Sequence, residues 1–238
     1  MKIPRAITGS VTLGLSLMLL NACASRHVPA DWELASQSAS QRAVAAYLKG
    51  ERRVTEVEWN KAYAEASATG LPAAMAHLAL LECAAQTAAL ELQDCPRYQR
   101  YAAGAQPQAQ AYARYLQVQH GGADVSLLPA PQQAMAAQLL FPDGGPVGLA
   151  STAPASPEQA LSLLTAAGVA LRAGRLAPEG VRQASKVAAA QGWRRAAMAW
   201  LLVEKKLAAQ AGDAQAVSAL ELRLQVLQEG AKADSQKK

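Results

Sequence analysis

Glycines at positions 50, 70, 174, 192 and 212 divide the chain into alanine-rich segments of helix length, and prolines at 72, 157 and 178 sit where new segments begin. Glycine ends a helix because it enters the left-handed conformation without a Cβ clash. Proline suits the first helical turn, where its missing N–H is not needed. Punctuation of this kind restricts the chain to helices joined by short turns. The apolar fraction of 51% is largely alanine, with a single phenylalanine among 238 residues. Strand-forming aromatic and β-branched residues are therefore scarce, and the core must be built from closely packed helices.

The reading places one helical block at 40–122. A helix through Val44, Tyr47 and Leu48 stops at Gly50, and the next is expected to start at Thr55, with Glu58 at capping-box spacing. Trp59, Ala62, Tyr63 and Ala66 share one face of that second helix. After Gly70, Pro72 opens a longer helix whose buried face runs through Met75, Leu78, Leu81, Ala85 and Leu92. Residues 123–155 change character, with Pro129, Pro131, Pro142, Pro146 and Pro154 beside Gly144, Gly145 and Gly148. They read as a Pro/Gly-rich linker interrupted by one short helix at 131–140.

A second helical block spans 156–230. Ser156-Pro157-Glu158-Gln159 is a capped helix start, and further starts at 178, 193 and 213 repeat with a period typical of helical hairpins. Asp213 caps the last helix, which carries Val217, Leu220, Leu224 and Leu227 on one face. The Ala211-Gly212-Asp213 turn followed by Ala216 resembles a tetratricopeptide hairpin. The expected fold is all-α, a helical-hairpin array of tetratricopeptide-like or irregular solenoid type in two blocks. Ala196 to Val203 is apolar on every side, so its helix should be enclosed by neighbours. Gly50, Gly70, Ala73-Ala74-Met75-Ala76 and Glu82 recur as Gly174, Gly192, Ala196-Ala197-Met198-Ala199 and Glu204, a pattern that a duplication would produce.

At the N-terminus, Lys2 and Arg5 precede the mostly apolar run Ala6 to Leu20, too short to cross a bilayer and suited to a signal peptide. The run ends in Leu20-Asn21-Ala22-Cys23, which resembles the lipobox of bacterial lipoproteins. That resemblance implies a leader at 1–22, a palmitate-bearing Cys23 as mature N-terminus and, with Ala24 following the cysteine, the periplasmic side of the outer membrane. Several acyl chains hold firmly where one binds marginally, because each buried methylene contributes about 0.8 kcal/mol. Residues 23–39 are expected to be a lipidated tether, and 231–238 a disordered tail.

Export changes how the other two cysteines read. Cys83 and Cys95 would lie in an oxidising compartment, where pairing is the expected state. A disulfide needs Cα atoms within about 7 Å, so the helix carrying Cys83 must end before Cys95; Asp94-Cys95-Pro96 supplies the break. Two cysteines without a nearby histidine make a poor zinc site, and no metal is expected.

Tyr98, Tyr101, Tyr112 and Tyr115, interleaved with Arg97, Arg100 and Arg114, form a candidate ligand or partner surface. Packing at helical spacing explains the same tyrosines. Loss of Lys2 and Arg5 with the leader leaves 21 basic residues against 18 acidic, with no basic block, so nucleic acid is not an expected partner. His27, His77 and His120 belong to no catalytic motif. Glu56 with Glu58, or Glu82 with Glu91, are the carboxylates to weigh for glycan chemistry, and solvated helix faces account for them. The expected function is a non-enzymatic binding or scaffold protein without cofactor, held at the membrane by its anchor and presenting a helical surface to another envelope protein. The alternatives are a peptidoglycan-acting enzyme or its activator, and a small-ligand carrier, which would need a large apolar pocket.

Overall fold

The prolines place the helix starts. In the computed structural model, which describes residues 29–141, 143–150 and 152–236, with the side chains up to Ala231, prolines occupy the first turn of α3 (Pro72–Ala88), α4 (Pro96–Gln99), α5 (Pro107–Leu116), α8 (Pro157–Arg172) and α9 (Pro178–Ala190). The other helices are α1 (Asp31–Lys49), α2 (Arg52–Ser67), α6 (Gly122–Val125), α7 (Ala130–Leu139), α10 (Arg194–Gln210) and α11 (Ala214–Gln236). The glycines at 50, 70, 174, 192 and 212 all have positive φ, as helix stops require. The fold is thus an all-α helical-hairpin array. Among the described residues the only β pairing is the parallel bridge between Val147 and Leu176.

Several boundaries differ from the sequence reading. α2 starts at Arg52, and Thr55 lies inside it, its hydroxyl donating to the Glu51 carbonyl. α3 stops at Ala88, so Leu92 is not part of its face. The expected tether is helical from Asp31, because Ser36 and Ala39 are already buried against the body. Of the expected tail, 231–236 continue α11 and 237–238 lie outside the described residues. The leader, the lipobox and Cys23 also lie outside them.

The two blocks are not separate bodies. Asp31–Lys238 is one compact unit, distinct from Met1–Ala30. α3 packs against α8, and α1 against α10. Both large apolar clusters draw on both blocks: one joins Leu48, Trp59 and Leu78 to Leu164, Val181 and Trp200, and the other joins Leu80, Tyr98 and Tyr115 to Val169. Gly168 is what lets α3 and α8 approach. A Cβ there would meet the Thr87 carbonyl oxygen and, at 2.8 Å, the Thr87 Cγ2. Thr165 donates to the Ala84 carbonyl at 3.3 Å, so 84 lies beside 165 and 87 beside 168, and the two helices run parallel.

Residues 123–155, expected as a linker, are built into this body. Leu128, Met135, Ala136, Leu139 and Val147 are buried. Arg175 explains why the proline-rich stretch is held: its guanidinium donates to the carbonyls of Gln138, Phe141 and Gly145, while across the bridge the Val147 N–H donates to the Arg175 carbonyl and the Val147 carbonyl accepts from the Ala177 N–H. An arginine with five donors satisfies carbonyls that no regular element would pair.

The expected capping survives at two places. Ser156 accepts from the Gln159 N–H at 3.3 Å, and Asp213 accepts from the Ala216 N–H at 2.9 Å. The recurrence between the blocks extends to side-chain bonding: Tyr63 donates to Glu82, and Ser185 to Glu204, each pair 19 residues apart.

Candidate binding cleft

α1 and the parallel pair α3 and α8 leave a cleft of about 1040 Å³, because α1 and α8 both lean on α3 and stand apart from each other. The α1 wall carries Trp32, Ser36, Ser40 and Val44, residues that recur every four positions and so line one helix face. Ala74, Leu78, Leu81 and Ala84 of α3 form the floor. Pro157, Leu161 and Thr165 of α8 stand opposite, and Trp193, ahead of α10, adds to the lining. Tyr112 of α5 and Leu127 to Pro129, ahead of α7, complete it. The surface is mainly hydrocarbon, in keeping with pockets that enclose an apolar ligand.

Polar groups divide by depth. The buried hydroxyls are committed to the protein: Ser36 donates to the Ala62 carbonyl, Ser40 to that of Gln37 and Thr165 to that of Ala84. Gln37, Gln41, Gln106 and Gln108 are exposed and form an amide-rich rim with His77. Among the described residues no lysine or arginine lines the cleft, whereas Glu33 and Glu158 do. Glu158 is held below the usual carboxylate range by backbone N–H donation at the start of α8 and by Ser156.

The sequence-derived candidates fall in several places. Cys83 and Cys95 are bonded, with Cα atoms 5.4 Å apart, and Cys95 takes a left-handed backbone conformation at the break before α4. The tyrosine–arginine group does not make one surface. Tyr98 and Tyr115 are core residues, the latter donating to Gln132 at 2.9 Å while Gln132 donates on to the Ser162 carbonyl. Arg97 stacks over the Tyr63 ring at 4.5 Å and pairs with Glu82, while Arg100 is exposed and Tyr101 half-buried. Only Tyr112 reaches the cleft, and burial pushes its hydroxyl pKa up.

Of the carboxylates weighed for glycan chemistry, Glu56 is exposed, and Glu58, Glu82 and Glu91 are each engaged by an arginine. Glu58 pairs with Arg42, whose hydrogen bond lowers its pKa, and Glu91 pairs with Arg195. Asp124, bonded by Arg114 and by the Gly121 N–H, is depressed to about 2. No cluster of three metal-ligating side chains occurs among the described residues.

The cleft itself was hidden in the sequence. Its walls come from residues more than a hundred positions apart, and their alanines and leucines read as ordinary core. One signal was present: α1 carries serine and glutamine through Ser36, Gln37, Ser40 and Gln41, where a fully packed helix face would be apolar. No protein-family model, curated protein sequence or solved structure matches the chain.

Proposed function

We propose that this chain is a lipid-anchored binding protein of the bacterial envelope, fixed through Cys23 on the periplasmic side of the outer membrane, and that the cleft between α1 and α8 receives an apolar ligand. The observation that carries this reading is the cleft: an apolar space of about 1040 Å³ whose buried hydroxyls are already bonded and whose rim is rich in amides. The short basic flank, the apolar run and Leu20-Asn21-Ala22-Cys23 support the anchor. In intact cells a photoreactive residue at Gln41, on the rim, should crosslink to an envelope component. The same residue at Lys61, on the exposed side of α2, should not; equal labelling at both positions sinks the reading. Cys23→Ala should abolish palmitate labelling and release the protein from the membrane fraction, and retention of either overturns the anchor.

A second reading, in which a helical surface docks another envelope protein, is favoured by the last hairpin. Leu202 of α10 and Leu222 and Val226 of α11 are between 52% and 63% exposed. Isolated exposed apolar residues are ordinary, but several on one terminal hairpin are what an unstacked repeat presents. A photoreactive residue at Leu222 that crosslinks one envelope protein reproducibly would support it, and labelling no different from Lys61 would dismiss it.

A further inference from the structure

We infer that the ligand of the cleft is a single-chain amphiphile whose head is neutral and oxygen-rich, of the monoacylglycerol class. The inference rests on the reading of the cleft as a binding site and adds the identity of the occupant.

Depth decides what can enter. The cleft extends inward to Val44, Ala84, Thr165 and Trp193, which are each 7% exposed or less. A partner helix is a cylinder about 10–12 Å across and would rest on the rim without reaching them. An extended peptide is thin enough to reach them. Its backbone N–H and C=O groups would then be buried beside Ser36, Ser40 and Thr165, whose hydroxyl protons are already given to backbone carbonyls. Unpaired backbone groups are costly to bury, whereas a hydrocarbon chain has none. The walls also match in length. Trp32 to Ala45 spans thirteen steps of α1, about 20 Å at the helical rise, enough to lie along an extended acyl chain.

Charge decides what stands at the mouth. Among the described residues no lysine or arginine lines the cleft, and the ionised Glu158 stands on its wall at the start of α8. That carboxylate repels an anionic head. The exposed amides of Gln37, Gln41, Gln106 and Gln108 supply neutral donors that suit hydroxyl and ester oxygens. A neutral head with several oxygens satisfies both conditions.

The test uses the compact unit 31–238, which contains every described core cluster and the disulfide but not Cys23, so its failure leaves the anchor untouched. Trp32 and Trp193 line the cleft and serve as reporters. A monoacylglycerol with a dibrominated chain should quench their fluorescence saturably, at one ligand per protein. In the series from octanoyl to dodecanoyl glycerol, affinity should rise about fourfold per methylene. The fatty acid of equal length should bind at least tenfold more weakly, and Glu158→Gln should narrow that gap. Ala74→Trp and Ala45→Phe, from two different walls, should each abolish quenching with an unchanged far-ultraviolet circular dichroism spectrum, while Phe141→Ala should bind normally. The proposal is overturned by absence of saturable quenching, by an affinity independent of chain length, by preference for the fatty acid, or by binding of an amphipathic helical peptide where monoacylglycerols do not compete.

Discussion

The Trp200 indole N–H donates to the carbonyl oxygen of Ala88 at 2.9 Å, across 112 residues of sequence. That carbonyl belongs to the last turn of α3, where no intrahelical donor is available, so a side chain from α10 completes the end of α3. Trp200 is fully buried, and its ring fills the contact between the two blocks. Trp200→Ala should cost about 3–5 kcal/mol. Trp200→Phe should keep most of the packing but leave the Ala88 oxygen unpaired, at about 1–3 kcal/mol. Guanidinium unfolding of the two variants measures both, and a loss below 1 kcal/mol for alanine would mean that the indole is not the junction described.

Gly168 offers the opposite case, a substitution that improves local propensity and harms the fold. Alanine is favoured over glycine in a helix interior by about 1 kcal/mol. Here its Cβ would press on the Thr87 backbone of α3, which cannot move as a flexible side chain could. Gly168→Ala should therefore destabilise by a net 1–3 kcal/mol or so. Thermal unfolding decides the sign, and a raised midpoint would show that α3 and α8 are free to separate.

The Cys83–Cys95 bond closes a short loop between the end of α3 and the start of α4. Chain-entropy arguments give about 3 kcal/mol for such a loop. Arg172 of α8 also grips this loop, donating to the Gln93 carbonyl at 3.0 Å and to the Asp94 carboxylate. The double variant Cys83→Ser/Cys95→Ser should lose roughly 3 kcal/mol in denaturant titrations. Added reductant should lower the stability of the parent and leave that of the variant unchanged.

Asp124 sets an acid limit on stability. Its folded pKa of about 2 lies below the ordinary 3.8, chiefly through the Arg114 hydrogen bond, aided by the Gly121 N–H. A depressed carboxylate stabilises the fold fully above its unfolded pKa, and that contribution disappears as pH falls through the folded value. Because Arg114 is partly exposed, screening leaves the contribution on the order of 1 kcal/mol. The stability gap between the parent and Asp124→Asn should be constant above pH ~5 and shrink between pH ~4 and ~2. A gap that widens on acidification would contradict the assignment.

Much of the secondary structure was legible because it depends on local chemistry. The glycines at 50, 70, 174, 192 and 212 stop helices where only a residue without Cβ is comfortable, and Pro72, Pro157 and Pro178 start them. The break before Cys95 followed from the reach of a disulfide. What escaped were relations between distant residues. Arg175 looks like any surface arginine until Gln138, Phe141 and Gly145 are seen around it, and so 123–155 read as a free linker. Gly168 looks like a weak point in a helix and is instead a contact point. The tyrosines announced a surface, yet two of them are core, since aromatic residues at helical spacing carry no sign of which side faces water. The cleft follows from the same limit: empty space between elements has no residue of its own to reveal it.

The position of α3 between the two blocks also bears on how the chain acquires its structure. Its partners Thr165, Gly168 and Trp200 are about 80 to 112 residues further along, so the first half cannot bury the α3 face by itself. Contacts of such long sequence separation form late and slowly. During vectorial synthesis or translocation, α3 waits with Ala84, Thr87 and Ala88 uncovered until α8 and α10 arrive. A chain cut between 140 and 156 would then be a fragment with an open apolar face, prone to aggregation, and not an independent first domain.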